Sequence, residues 1–154
     1  MRNFGVSSIP TLVNGDFETD EGWVLNHLAV YVDVASGTLH VHSGSRSVRV
    51  GIPPGEPGSD IYSSVAQTFV MPSGDTAALR LWVYPIGEGD DPDDWHYVSL
   101  RDELGASRSL DHWQSDARVW ELREYDLSDQ IAQLAGQTVT LYIGTRNDGD
   151  DDTA

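Results

Sequence analysis

The chain has 154 residues, 25 Asp and Glu against nine basic residues that are all Arg, no cysteine, and a formal net charge of −16. The length fits one domain with a sizeable core, and the lack of cysteine excludes disulfides, thiolate metal sites and cysteine nucleophiles. So acidic a surface repels phosphate backbones and argues against nucleic acid as a partner, while no run nears the roughly 18 apolar residues that a membrane span needs.

Met1-Arg2-Asn3-Phe4 carries one positive charge with no apolar stretch behind it, so an exported form would have lost its leader or be cut from a longer chain. Strands are expected near Thr11–Val13, Trp23–Val34, Thr38–His42 and Ser45–Gly51. Between the first two lies the turn Asn14-Gly15-Asp16-Phe17-Glu18, and the last is entered through Ser43-Gly44-Ser45. After the loop Pro53-Pro54-Gly55-Glu56-Pro57-Gly58 come Ile61–Val70, Ala78–Tyr84, His96–Asp102, Arg118–Leu127 and Gln137–Arg146, punctuated by Pro72-Ser73-Gly74-Asp75 and the acidic loop 87–94. One helical turn is expected from Ser128 to Leu134, with Ser128 as its cap and Gly136 as its stop. Short alternating runs broken by Gly, Pro, Asp and Ser predict an all-β sandwich or barrel. There is no internal repeat and no linker, so residues 1–154 read as a single domain. The polar stretch from Asn147 to Ala154 is of the kind that joins two strands, so a closing strand is expected to be missing from the chain or supplied in another way.

Alternation sorts the later strands into two faces. Leu79, Leu81 and Val83 share one face, and Arg80, Trp82 and Tyr84 the other. Val98 and Leu100 oppose Tyr97, Ser99 and Arg101; Val139, Leu141 and Ile143 oppose Thr140 and Tyr142. If these strands are neighbours, Arg80, Trp82, Tyr84, Tyr97, Arg101 and Tyr142 form one shallow platform. Sugars are held on such surfaces by stacking of C–H groups on rings and by hydrogen bonds to Arg. The competing expectation is a face covered by loops or a partner, with Arg stacked on rings for structure alone. Trp23 and Trp120 are expected in the core or at its rim; Trp95 and Trp113 are the candidates for exposed rings.

Asp16 and Glu18 are two residues apart and point the same way in a strand, and a Ser/Gly loop frees carbonyl groups, so this corner suits a hard cation. The acidic stretches 88–94 and 148–152 lack the calcium-hand pattern and read as solvated loops. His40-Val41-His42 places two imidazoles on one face without a third ligand, and Asp111-His112 is adjacency without a triad. No nucleophile elbow, phosphate loop or dinucleotide fingerprint is present, and no carboxylate pair stands out as a glycosidase pair.

Asn14-Gly15-Asp16-Phe17-Glu18 followed by Trp23 resembles the opening of family 4/9/22-type carbohydrate-binding modules. Ser43-Gly44-Ser45-Arg46-Ser47-Val48-Arg49-Val50-Gly51 is similar to their Gly-Ser strand entry, and Val65 to Pro72 to the strand that follows. Trp120 to Ser128 and Leu134 to Leu141 are similar to their late strand pair, so the resemblance spans Leu12 to Asp148. It implies a galactose-binding-like jelly roll, that is, a β-sandwich of two antiparallel sheets. It also implies a structural calcium held at Asp16, Glu18, Ser43 and Arg46, with no counterpart here to the family's final-strand Asp. The function implied is non-catalytic: a module of an exported bacterial protein, extracellular or at the cell surface, binding polysaccharide or oligosaccharide. The alternative is an accessory interaction or stability domain of a secreted peptidase or surface protein, without sugar binding; an enzyme is the third reading.

Overall fold

The computed structural model describes residues 11–33, 40–53, 55–87 and 93–149. The elements in chain order are β1 (Val24–Asn26), β2 (Val30–Asp33), β3 (Arg46–Arg49), β4 (Asp60–Val70), β5 (Ala78–Val83), β6 (Trp95–Arg101), β7 (Ser107–Trp113), β8 (Glu121–Asp126), α1 (Ser128–Leu134) and β9 (Thr138–Asp148). Five strands make one sheet in the order β1-β4-β9-β6-β7, with every pairing antiparallel. The second layer consists of two antiparallel pairs, β2–β3 and β5–β8. The all-β antiparallel sandwich expected from the alternation is what the chain forms.

The core lies between the layers. Val65, Val98, Leu100, Val139 and Leu141 come from the inner face of the five-stranded sheet, and Val48, Val50, Leu79 and Leu81 pack on them from the second layer. Trp23, Met71 and the helical residues Ile131 and Leu134 fill the ends. Each such side chain contributes roughly 1.5–3 kcal/mol by leaving water. Because inward residues alternate with outward ones, the core fixes which side chains the outer faces show.

Five of the nine expected strands form within one or two residues of their predicted ends, and Arg118–Leu127 begins three residues late, at Glu121; the other departures are these. Thr11–Val13 is not a strand. The amide of buried Gln67 stands in for a neighbouring strand, its Oε1 accepting from Val13 N at 2.8 Å and its Nε2 donating to Val13 O at 2.9 Å. The single strand expected over Trp23–Val34 breaks in two because His27 and Leu28 adopt φ of 41° and 45°. Thr38 and Leu39 lie outside the described residues, and His40 to His42 are not in a strand. Strand β7 was not expected. A register shift between Val98 and Ser99 leaves Leu110 without a partner, so the alternation of β7 is interrupted where it would be read.

The helix falls at the predicted residues, but Ser128 is not its cap. Leu127 occupies the cap position without a side-chain bond, and Asp126 Oδ1 instead accepts from Ser128 N at 2.9 Å and Ser128 Oγ at 2.5 Å. Those two bonds hold the Asp126 carboxyl below the usual range.

Candidate functional site

The outer face of the five-stranded sheet is built in cross-strand rows. The middle row runs Asn26, Ser64, Gly144, Tyr97, His112 across β1, β4, β9, β6 and β7. The next row runs Ala66, Tyr142, Ser99, Ser109. At one end stand Tyr62, Arg146 and Trp95; at the other stand Thr140, Arg101 and Ser107. Small side chains, among them Ser64, Ser99 and Ser109, interleaved with Tyr62, Trp95, Tyr97 and Tyr142 make a cleft of about 690 Å³.

Gly144 lies buried beneath Tyr97. A Cβ there would collide with the Ser63 carbonyl and lie 2.9 Å from the Tyr97 hydroxyl, so the Tyr97 ring can lie over β9 only because position 144 has no side chain. Burial raises the Tyr97 phenol above its ordinary value, although a hydrogen bond with Ser64 opposes the shift, and the group stays a neutral hydroxyl at neutral pH. Asn26 Nδ2 donates to Ser64 Oγ at 3.2 Å, which orients the polar floor. The Tyr62 and Tyr97 rings meet edge-on at 6.0 Å. The Arg101 guanidinium lies 5.1 Å from the centre of the Tyr142 ring, and that of Arg146 lies 5.2 Å from Tyr62 and 5.9 Å from Trp95. Arg146 is also paired with Asp60 at 3.1 Å. Rings, guanidinium groups and hydroxyls thus converge on one concave surface, which can stack on the C–H faces of a ligand while donating and accepting hydrogen bonds at its edges.

The platform expected from the sequence is therefore divided. Tyr97, Arg101 and Tyr142 come together in the cleft. Arg80, Trp82 and Tyr84 do not join them, because β5 belongs to the second layer, where Leu79 and Leu81 face the core and the alternate residues face away. There Trp82 stacks on His42 at 4.1 Å, Tyr84 stacks on His40 at 4.0 Å, and Arg80 Nε is paired with Glu124 at 2.6 Å. The two histidines set aside as a zinc pair are used in this stacking. Trp120 closes the same cluster edge-on. Trp23 is in the core as expected. Trp95 lines the cleft, whereas Trp113 turns inward against His96 and under the Arg123 guanidinium, 3.9 Å from its ring centre, so it is not an exposed ring. Tyr62, Ser64 and Arg146 were not among the predicted residues; sorting β4 by alternation would have placed Tyr62 and Ser64 on this face.

The Glu18 corner is a compact loop closure. Glu18 Oε1 accepts from the backbone of Ser45 at 2.8 Å and of Arg46 at 3.0 Å, and Oε2 accepts from Ser45 Oγ at 2.5 Å. The hydroxyl and the two amides hold the Glu18 carboxyl below its ordinary value. Gly44, at φ 69°, leaves the space that the carboxylate occupies. Arg46 donates to Glu18 O at 3.2 Å and to Asp20 Oδ1 at 2.6 Å, and Asp16 Oδ1 accepts from Glu18 N at 3.3 Å. The Arg46 guanidinium thus pairs with the Asp20 carboxylate, while the Glu18 carboxylate is held by backbone amides and a hydroxyl. One carboxylate with the carbonyl groups of Asp16, Ser43 and Arg46 fits the oxygen chemistry of a hard cation. Among the described residues no three or more Asp, Glu, His or Cys side chains converge as a metal-ligand group. In the acidic loop 88–94, buried Asp94 accepts from Asp148 N at 2.7 Å and Asn147 Nδ2 at 3.3 Å, so it braces the end of β9; residues 88–92 and 150–154 lie outside the described residues.

No family model and no curated protein matches the chain. Among the solved structures that share its fold are two carbohydrate-binding modules. One is TmCBM61, a carbohydrate-binding module in complex with β-1,4-galactotriose: 18% identity, TM-score 0.59, covering 93% of this chain and 91% of that one. The other is the C-terminal family 22 carbohydrate-binding module of Clostridium thermocellum Xyn10B: 13% identity, TM-score 0.53, covering 90% of this chain and 85% of that one. The chain shares the jelly-roll β-sandwich fold of these modules.

Proposed function

We propose that this chain is a non-catalytic glycan-binding module that seats an oligosaccharide, or a stretch of polysaccharide, along the cleft of the five-stranded sheet. The observation that carries the reading is the row arrangement: small residues along the floor, with Tyr62, Trp95, Tyr97 and Tyr142 around them. Rings set around a hydroxyl-rich floor match a ligand with apolar C–H faces and polar edges. Two fold neighbours lend support, one solved with β-1,4-galactotriose and one whose cleft residues act in ligand binding. Such a ligand goes with a place outside the cell or at its surface, as a module of a larger protein.

Calorimetric titration against a panel of oligosaccharides tests this. We expect binding to at least one of them, with Tyr97→Ala weakening it tenfold or more. Failure of every glycan to bind, or an unchanged affinity in Tyr97→Ala, would sink the reading.

We further propose that calcium braces the Glu18 corner through the Glu18 carboxylate and the carbonyl groups of Asp16, Ser43 and Arg46. The support is a carboxylate held in its ionised form against a Gly/Ser loop. A ligand that binds only the folded state stabilises it. Melting in EDTA should fall by several degrees and recover with added calcium; identical melting curves would remove the ion.

A further inference from the structure

The cleft differs in charge from the rest of this molecule. At the chain's own frequency, 25 in 154, its dozen lining residues would include about two carboxylates; they include none, but they do include Arg101, His27 and His112. Arg101 is distinctive in a second way. Eight arginines are among the described residues, and six of them are paired with a carboxylate. Arg49 is half-buried at the second layer. Arg101 is exposed at the mouth of the cleft, over the Tyr142 ring and without an ion-pair partner among the described residues. In a chain with nearly three acidic residues for each basic one, an exposed guanidinium kept free of carboxylates is available to something else.

Resting the inference on the cleft being the glycan site, we infer that its ligand is an anionic glycan whose carboxylate or sulfate group pairs with Arg101. A guanidinium stacked on a ring stays in place while its N–H edges remain free, and those edges match a planar carboxylate two bonds at a time. Arg146, in the row with Tyr62 and Trp95 at the other end of the cleft, is by contrast paired with Asp60. The net charge of −16 would repel such a ligand at long range. At physiological ionic strength, however, screening acts over about 8 Å, so the groups inside the cleft decide the short-range field.

The test uses pairs of glycans that differ only in charge, titrated in about 0.15 M salt. They are polygalacturonate and its full methyl ester, a glucuronoxylan fragment and the same fragment without its uronate, and a sulfated galactan and its desulfated form. The first two pairs report a carboxylate and the third a sulfate. The charged member of at least one pair should bind tenfold or more tighter than its neutral twin. Arg101→Gln should remove most of that advantage. Arg80→Gln makes the same change of net charge on the opposite layer and should leave the advantage in place. Neutral glycans binding as tightly as charged ones would overturn the anionic ligand and leave the glycan reading standing. Binding by neither member of any pair, and by no oligosaccharide of the wider panel, would overturn both.

Discussion

On the five-stranded layer, Tyr62, Trp95, Tyr97 and Tyr142 stand around Ser64, Gly144 and Ser99. On the β5–β8 pair, Trp82 and Tyr84 lie flat against His42 and His40, and Arg80 is closed by Glu124. The residue types are the same, and so is the alternation that turns them outward. What differs is what lies against them. Ser64, Gly144 and Ser99 flank Tyr97 and Tyr142 and leave a concavity, whereas His42 and His40 from outside the strands stack on Trp82 and Tyr84, and Glu124 pairs with Arg80. Exposed aromatic and Arg residues become a binding surface only when the adjacent rows decline to fill the space between them.

Position 144 offers the strongest way to break that contrast. Gly144→Ala introduces a Cβ into the Ser63 carbonyl and the Tyr97 hydroxyl, where backbone must move to make room. Overpacking of this kind costs about 1–3 kcal/mol, and in a domain of this size each kcal/mol lowers the melting temperature by roughly 2–4 °C. The same substitution lifts Tyr97 out of the cleft and should weaken glycan binding. Trp82→Ala on the other face removes a half-exposed ring, so it should lower stability less and leave binding unchanged. Equal loss of binding in the two variants, measured by titration beside thermal melts, would abolish the distinction between the faces.

The faces themselves were legible in the sequence, because inward Val98, Leu100, Val139 and Leu141 dictate outward Tyr97, Arg101 and Tyr142. Sheet membership was not. In a two-layer sandwich every strand buries one face, so β5 reads like β6 and β9 although it lies in the other layer; only pairing distinguishes them, and pairing is non-local. Strand β7 went unread because the bulge opposite Val98 and Ser99 breaks its period of two. The seat of Tyr97 went unread because it is a glycine, and the absence of a side chain at Gly144 has meaning only once Ser64 and Tyr97 are known to flank it. At the opposite edge of legibility, Glu18 and the Ser43–Arg46 loop were paired from sequence, and they meet through Ser45 and Arg46 amides.

A middle-sized effect should come from acid. His96 lies on β6 between the cleft residues Trp95 and Tyr97 but points inward, where burial holds its imidazole below the ordinary value of 6.5, against a hydrogen bond with the Ser115 carbonyl that favours the charged form. Arg123 also opposes its protonation, while Glu121 and Asp94 favour it. Above pH 6.5 folded and unfolded forms are both neutral and nothing changes. Below 6.5 the unfolded chain takes up a proton that the folded chain resists, so stability falls, by at most about 1.4 kcal/mol per pH unit. The depressed carboxyl groups of Glu18, Asp116 and Asp126 resist protonation in the same sense but lose their contribution only as pH drops below their ordinary values of 4.5, 3.8 and 3.8, outside this window. Melting curves between pH 7 and 5 should therefore shift downward in the native chain and flatten in His96→Gln. An unchanged slope in that variant would show that the strand beneath the cleft carries no such proton linkage.

The smallest effect belongs to the opposite face and is the sharpest control on the cleft. Arg80 and Glu124 face each other across β5 and β8 at 2.6 Å, but their side chains are 69% and 51% exposed. Water screens a pair so open, and holding two long side chains in register costs rotamer freedom, so the coupling should be roughly 0.2–1 kcal/mol. A double-mutant cycle of Arg80→Ala and Glu124→Ala should return a value in that range, shrinking as salt is added. Neither variant should alter glycan affinity, since neither side chain lines the cleft. A coupling several times larger, or a loss of affinity in either single variant, would mean that this outer face communicates with the other through the core. Leu79 and Leu81, which pack on that core from the same strand as Arg80, would then be the residues through which the coupling passes.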